Sequence, residues 1–213
     1  MQKSYTFTSA DGTVFPYYLS IPEDCDPASE SLPLIVFLHG AGERGTDVEK
    51  VKVHGIPKYF DKESPCRVIT LSPQCAENRI WNTQVYAVKE LIDYIVKEYN
   101  IDHNAISLTG LSMGGYGTWE MGMSFPGFFA ALAPICGGGT SWRAGLLKDT
   151  PIRTFHGADD NTVPITQTLE MYNAVKACGG NIEIEIYGGV GHDSWITAYE
   201  KTDLIEWLAK ARK

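Results

Sequence analysis

One serine of this sequence lies between glycines at a spacing that suits nucleophilic chemistry. The segment Gly110-Leu111-Ser112-Met113-Gly114 directly follows the strand-like run 105–109. Glycines two positions before and after Ser112 let the backbone bend sharply without a Cβ clash, so a strand can pass into a helix and lift the hydroxyl clear. The same residues also fit a glycine-rich loop that only starts a helix, so the assignment depends on partners elsewhere in the chain.

A serine hydroxyl is a weak nucleophile until a base takes its proton, and His192 is the candidate base. It lies in the glycine-rich stretch 188–193 after the predicted strand 182–187, and strand ends of this kind meet at one sheet edge. His39 and His156 each end a predicted strand before a glycine, where we expect them to hold loop backbone. His54 and His103 lie at no strand end.

The base needs an acid that fixes its tautomer, and two carboxylates compete for that role. Asp159 and Asp160 both follow the predicted strand 152–155, and only one of them can face a single imidazole. Asp193 is poorly placed to reach the ring of its own neighbour. The order serine, aspartate, histidine along the chain differs from that of the chymotrypsin and subtilisin triads.

Negative charge that develops on an attacked carbonyl oxygen needs preorganised N–H donors. The residue after the nucleophile, Met113, offers one backbone N–H. A second comes from the glycine-rich turn 39–45 after the predicted strand 33–38, where we expect Ala41 to be the donor.

Apolar runs and helical periodicity alternate along the chain from residue 33 onward. This alternation predicts a single α/β domain spanning residues 1–213, with a mostly parallel central sheet and helices on both faces. Ligands of such sheets bind beyond the carboxyl ends of the strands, where Ser112 is expected. The predicted strands are 5–8, 15–21, 33–38, 66–71, 105–109, 129–135, 152–155 and 182–187, and the predicted helices are 85–99, 114–124, 166–177 and 197–211.

Composition limits the classes of partner. The formal net charge of −8 argues against nucleic acid and anionic membranes. No apolar run is long enough to span a bilayer, and the first residues lack the apolar core of a signal peptide, so we expect a cytoplasmic protein. The five cysteines match no zinc-ligand spacing, and we expect free thiols, no metal and no cofactor.

Four segments in order resemble those of α/β-hydrolases, in particular the phospholipase/carboxylesterase-like and "predicted peptidase" esterases of bacteria, with feruloyl esterases and polyhydroxybutyrate-depolymerase-like proteins as relatives. The resemblance implies an α/β-hydrolase fold with Ser112, Asp160 and His192 as the triad, and with Ala41 and Met113 as oxyanion donors. It favours Asp160 because the family's acid precedes x-x-Val-Pro. The four segments are 38–45, 110–115, 156–160 and 191–195.

Only sixteen residues, 136–151, separate two predicted strands where relatives commonly insert a lid, so we expect no lid domain and an open site. The alternative is that the loop 137–147 folds down as a small cover. Four aromatic residues are candidates for substrate contacts or for core packing: Trp81, Tyr116, Trp142 and Trp195. Aromatic walls suit a planar acyl group or a sugar ring.

The sequence therefore predicts a serine esterase that cleaves small-molecule or carbohydrate-linked esters, such as feruloyl or acetyl esters. A peptidase of the same fold and a hydrolase-like binding protein without turnover are the alternatives. A histidine base predicts that the rate rises with pH through an ionisation near about 6.5.

Overall fold

A computed structural model describes residues 2–26, 29–60 and 66–213. Eight strands of the described chain form one sheet in the order β1-β2-β4-β3-β5-β6-β7-β8. The hairpin β1–β2 pairs antiparallel with itself and with β4, and all other neighbours are parallel. The strands are β1 (Gln2–Thr8), β2 (Val14–Ser20), β3 (Leu32–Leu38), β4 (Ile69–Pro73), β5 (Ile101–Leu111), β6 (Ala131–Ile135), β7 (Ile152–Gly157) and β8 (Ile182–Tyr187).

The central strand β3 is apolar throughout because both of its faces are covered. Successive side chains of a strand point to opposite faces. Leu34, Val36 and Leu38 therefore pack into one core cluster, and Ile35 and Phe37 pack into the other.

Six α-helices of the described residues cover the two faces of the sheet. Side chains of α2, α3 and α4 pack into the first cluster, whereas those of α1, α5 and α6 pack into the second. This arrangement confirms the predicted α/β-hydrolase class. The helices are α1 (Gly55–Tyr59), α2 (Val85–Glu98), α3 (Met113–Ser124), α4 (Thr166–Ala177), α5 (Trp195–Lys201) and α6 (Leu204–Lys210).

The predicted helix 197–211 is two helices, α5 and α6. Thr202 between them is extended, at φ −123° and ψ 174°. Its hydroxyl donates to the carbonyl of Ala198 at 2.6 Å and accepts the N–H of Leu204 at 3.1 Å, so it closes one helix and starts the next. The helical periodicity continues across this break and hides it.

The strand predicted at 66–71 begins only at Ile69. Residues 66 and 67, inside the predicted range, form a bend, and Arg67 pairs with Asp24 and Glu30 of the segment that follows β2.

The order in which successive strands are added to the sheet changes direction at β3. Strand β4 pairs with one side of β3 and β5 with the other, so the loops after β3 and β5 leave in opposite directions and open a crevice between them. The segments after both strands carry predicted site residues.

No helix among the described residues has the length and apolar composition needed to cross a membrane. The five cysteines, all within the described ranges, form no disulfide with one another. The cytoplasmic location stays a prediction.

Candidate active site

Ser112 lies in a strained turn between β5 and α3. Its backbone has φ 52° and ψ −115°, a conformation that is costly for a residue with a Cβ. The Ser112 N–H donates to the carbonyl of Ile135 on the neighbouring strand β6 at 3.0 Å, which helps to hold the turn. The helix α3 begins at the next residue, so its free N–H groups point toward the serine.

The two glycines of this turn allow a very close approach of backbone to backbone. A Cβ on Gly114 would lie 1.8 Å from the carbonyl oxygen of Leu38, and one on Gly110 would lie 2.4 Å from that of Gly114. Because no side chain fits at either position, α3 packs directly against the end of β3. The glycine spacing in the sequence thus reflects a real steric requirement.

His192 connects the serine with a carboxylate. Its Nδ1 lies 2.7 Å from Oδ2 of Asp160, and its Nε2 lies 2.9 Å from Oγ of Ser112. A carboxylate can only accept, so Nδ1 carries the ring hydrogen and Nε2 is free to accept the serine proton. Residues from three separate strand ends thus meet in one hydrogen-bonded series.

Asp160, rather than its neighbour Asp159, faces the imidazole. Its Oδ1 accepts the backbone N–H of Thr162 at 2.8 Å and that of Val163 at 2.9 Å. Burial opposes its ionisation, but these bonds and the one from His192 outweigh burial and hold the pKa of the carboxyl below its usual value. Asp159, by contrast, is exposed to solvent.

The turn after β3 lies against the serine. A Cβ on Gly40 would lie 3.7 Å from Cβ of Ser112. Ala41, the next residue, begins a 3-10 helix, and neither its backbone N–H nor that of Met113 donates to an acceptor within the described residues. Two backbone N–H groups without an acceptor among the described residues thus begin the two helical segments that follow β3 and β5.

Arg44 and His39 hold this turn in place. Arg44 Nε donates to the carbonyl of Ala41 at 2.9 Å, so the arginine supports the loop rather than presenting its charge to a ligand. His39 accepts the N–H of Cys75 at Nε2, at 2.9 Å, and contacts the carbonyl of Gly40 through Nδ1, at 2.6 Å. Burial lowers the pKa of His39 to about 4, so this ring is neutral.

Trp81 belongs to the core and not to the substrate cleft, which corrects its prediction as a candidate substrate contact. Only 1% of its surface is exposed, and its Nε1 donates to the carbonyl of His39 at 2.9 Å. A Cβ on Gly117 would lie 2.5 Å from Cβ of Trp81, so the indole packs directly on α3. Its large apolar surface therefore belongs to the core cluster that α2 and α3 also line.

The other three aromatic candidates occupy different positions. Tyr116 lines a cleft of about 500 Å³ beside the serine, together with Ile80, Asn82, Ser112 and Met113. Trp195 packs edge-on against the His192 ring, with centroids 5.3 Å apart.

Trp142 lies on a 3-10 helix, Ser141–Leu147, and is 85% exposed. That helix buries Ala144 and Leu147 instead, so the tryptophan is not folded down as a cover.

Two residues close to Asp160 were not among the candidates that the sequence indicated. Cys136 has a positive φ of 41°, and its sulfur lies within 4.8 Å of ligand atoms of Asp160 and His192. Burial raises the pKa of this thiol to about 12, and the two other donors already bind each other, so the group is a poor fit for a cation. His156, expected to hold backbone, also reaches Asp160, at 3.2 Å.

Comparison with known proteins agrees with this architecture. A family model described as Phospholipase/Carboxylesterase matches residues 21–210. A solved thermostable esterase is 37% identical, with a TM-score of 0.88 over 100% of this chain and 63% of that chain. A solved ferulic acid esterase has a TM-score of 0.78 at 17% identity, covering 99% of this chain and 98% of that one, and shows the fold alone.

A curated relative matches over a shorter segment. The bifunctional acetylxylan esterase/xylanase XynS20E of Neocallimastix patriciarum is 34% identical over 80 residues, which are 38% of this chain and 12% of that protein. The chain thus corresponds to less than two thirds of the length of this relative and of the thermostable esterase. The family match covers most of the chain, and the chain therefore belongs to the phospholipase/carboxylesterase family of α/β-hydrolases.

Proposed function

We propose that this protein hydrolyses carboxylic esters through an acyl-enzyme on Ser112. One observation carries the proposal: the unbroken series from Asp160 through His192 to Ser112, with contacts of 2.7 and 2.9 Å. Both distances are within the hydrogen-bond reach that general-base activation of a nucleophile requires. The unused N–H groups of Ala41 and Met113 support the same reaction.

The acylation step follows from this arrangement. Ser112 Oγ attacks the ester carbonyl carbon while its proton passes to Nε2 of His192, and the carbonyl oxygen becomes negatively charged against the N–H groups of Ala41 and Met113. Asp160 stabilises the imidazolium. The C–O bond to the alcohol then breaks, the alcohol oxygen takes the proton from Nε2, and the acyl group stays on Ser112.

Deacylation uses the same groups in the same order. Water gives a proton to His192 Nε2 and attacks the acyl carbon, and the oxyanion is held as before. When the bond to Ser112 Oγ breaks, the serine takes the proton back and the carboxylic acid leaves. This cycle uses neither a metal nor an organic cofactor.

The cleft beside Ser112 supports feruloyl or short acyl esters, including carbohydrate-linked ones, as the substrate class. Ile80, Met113 and Tyr116 give it apolar walls, and Asn82 adds one amide. An aromatic wall suits a planar acyl group, and the match to an acetylxylan esterase favours acyl groups on carbohydrate.

A panel of purified-enzyme assays tests the proposal. The panel contains p-nitrophenyl acetate, methyl ferulate, acetylated xylo-oligosaccharides, a lysophospholipid and a peptide anilide. We expect hydrolysis of the esters that vanishes in Ser112→Ala and persists in the control Ser141→Ala, which removes a hydroxyl that donates to Glu170. Faster cleavage of the anilide would favour a peptidase, and no turnover of any compound would favour a binding protein.

A substitution of Tyr116 tests the preference for the acyl group. Tyr116→Ala removes the aromatic wall and should lower kcat/KM for methyl ferulate roughly tenfold, with little change for p-nitrophenyl acetate. Tyr86→Ala, which removes a tyrosine 72% exposed on α2, is the matched control. Activity on acetyl esters with none on feruloyl esters would contradict the aromatic part of the proposal.

A further inference from the structure

His156 is a second imidazole on the carboxylate that faces His192. It lies near the end of β7, and its side chain and that of Asp160 are both fully buried. Its Nε2 is 3.2 Å from Asp160 Oδ2 and 2.9 Å from the carbonyl oxygen of Val163. Its Nδ1 is 2.7 Å from Oγ1 of Thr168 on α4.

The hydrogen on Nε2 of His156 can be assigned from its partners. The carbonyl of Val163 only accepts, so Nε2 carries a hydrogen and donates it to that carbonyl. The backbone N–H of the same residue, Val163, donates to Asp160 Oδ1, while Oδ2 binds the His192 ring and lies 3.2 Å from His156 Nε2. His156 thus fixes the residue that holds Oδ1 and packs against Oδ2, so it restricts the carboxylate from both sides.

One hydroxyl, that of Thr168, contacts the far side of the His156 ring. The Thr168 hydroxyl is 2.8 Å from the carbonyl of Gly137 and has one hydrogen to give, either to that carbonyl or to His156 Nδ1. Trp119 Nε1 also reaches the Gly137 carbonyl, at 3.3 Å. Thr168 thus connects the Nδ1 side of the ring to the Gly137 carbonyl and holds the ring from the side opposite Val163.

We propose that His156 is a positioning residue for the reaction, holding the Asp160 carboxylate in the orientation that receives His192. The proposal rests on the proposed function, because it requires Asp160 and His192 to act on Ser112. His156 touches neither the serine nor the cleft, so its contribution belongs in kcat and not in KM. A loosely held carboxylate lets the His192 ring move away from Ser112 Oγ, and misplacement by about 1 Å costs up to about 100-fold in rate.

Three variants separate positioning from simple stabilisation. His156→Leu removes both nitrogens, whereas His156→Gln keeps an N–H donor at the position of Nε2. Thr154→Val is the matched structural control, since Thr154 lies on the same strand and its buried hydroxyl donates to the carbonyl of Pro134 at 2.8 Å, away from Asp160.

We expect kcat to fall about 10- to 100-fold in His156→Leu, with KM within about twofold of the parent. In His156→Gln most of kcat should return, and in Thr154→Val kcat should stay unchanged. The low-field proton resonance of His192 Nδ1–H should shift in His156→Leu and not in Thr154→Val. If His156→Leu does not fold, Thr168→Val, which removes the partner of His156 Nδ1, provides the test: kcat should fall with KM unchanged, and the same resonance should shift.

Equal losses of kcat in His156→Leu and His156→Gln, or a parent-like kcat in His156→Leu, would overturn the proposal. Where the leucine variant is unfolded, a parent-like kcat together with an unmoved resonance in Thr168→Val would overturn it. Failure of the proposed function is recognised separately, because hydrolysis would then survive in Ser112→Ala whatever the His156 variants do.

Discussion

Replacing Asp160 by asparagine tests the orientation of the catalytic series by exchanging one carboxylate oxygen for an NH₂ group. The carboxylate oxygen Oδ1 accepts two backbone N–H groups, from Thr162 and Val163. An amide at this position places its oxygen toward those two donors, since turning its NH₂ group toward them leaves both without an acceptor. That reversal costs about 1–3 kcal/mol per lost bond, or about 2–6 kcal/mol in total.

The NH₂ group of the introduced amide is therefore held against His192. It donates to Nδ1, the ring hydrogen moves to Nε2, and Nε2 can no longer accept the proton of Ser112 at 2.9 Å. The reversed amide, with the productive tautomer, is populated at roughly 3 × 10⁻² to 4 × 10⁻⁵ for a cost of this size. We therefore expect kcat to fall between about 30- and 25,000-fold, and the equivalent exchange in the trypsin triad, about 10⁴, lies within this range.

The assay is steady-state hydrolysis of p-nitrophenyl acetate from about pH 5 to 9, with urea unfolding as the check on folding. Asp159→Asn is the matched control, because it makes the same change at the exposed neighbour. It should leave kcat within about twofold of the parent. A loss below about tenfold in Asp160→Asn, or equal losses in both variants, would refute the assignment of Asp160.

The ionisation of the Asp160 carboxyl also determines how many limbs the pH profile of the unmodified enzyme has. Because its pKa lies below the usual value, Asp160 stays ionised throughout this pH range and adds no limb to the profile. The rise in rate with pH should come from a histidine base alone. A second acidic limb that disappears in Asp160→Asn would contradict this reasoning.

Three further predictions concern the supporting structure. Gly114→Ala should prevent α3 from packing on Leu38 and abolish soluble folded protein, whereas Gly188→Ala, where a Cβ meets nothing, should fold normally by circular dichroism. His39 has a pKa of about 4 when folded against 6.5 otherwise, so the unfolded state binds more protons between these values. Stability should therefore rise from about pH 4 to 6.5 by about 3 kcal/mol from this group, and His39→Gln should flatten that slope in urea unfolding. Cys178 is exposed while Cys75 and Cys136 are buried, so a thiol reagent should modify Cys178 first without loss of esterase activity, as mass spectrometry and assay together would show.

Much of the fold was predictable because buried parallel strands are continuous apolar runs. The predicted strand 182–187 and the predicted helix 166–177 have the same bounds in the structure. The predictions failed where side-chain hydrogen bonds decide the geometry. Thr202 ends a helix within a sustained helical pattern, and residues 66 and 67 form a bend where the apolar run predicts a strand.

The site was predictable in its residue types more than in its packing. Strand ends and glycine spacing bring Ser112, Asp160 and His192 to one edge, since parallel strands end together. Burial is a property of the assembled sheet, so the aromatic residues could not be sorted in the same way. Trp81 packs in the core, although its sequence position is equally compatible with a cleft wall. The contact between His156 and Asp160 has one weak sequence signal: a polar residue near a strand end, four positions before the acid.

The most direct test of the account is to trap the acyl-enzyme. Rapid mixing with p-nitrophenyl acetate, acid quenching and peptide mass spectrometry report both the release of p-nitrophenol and the site of acylation. We expect a burst of about one equivalent per active site and an acetyl group on the peptide that contains Ser112, both absent in Ser112→Ala. An acetyl group on another residue, or ester turnover that survives in Ser112→Ala, would contradict it.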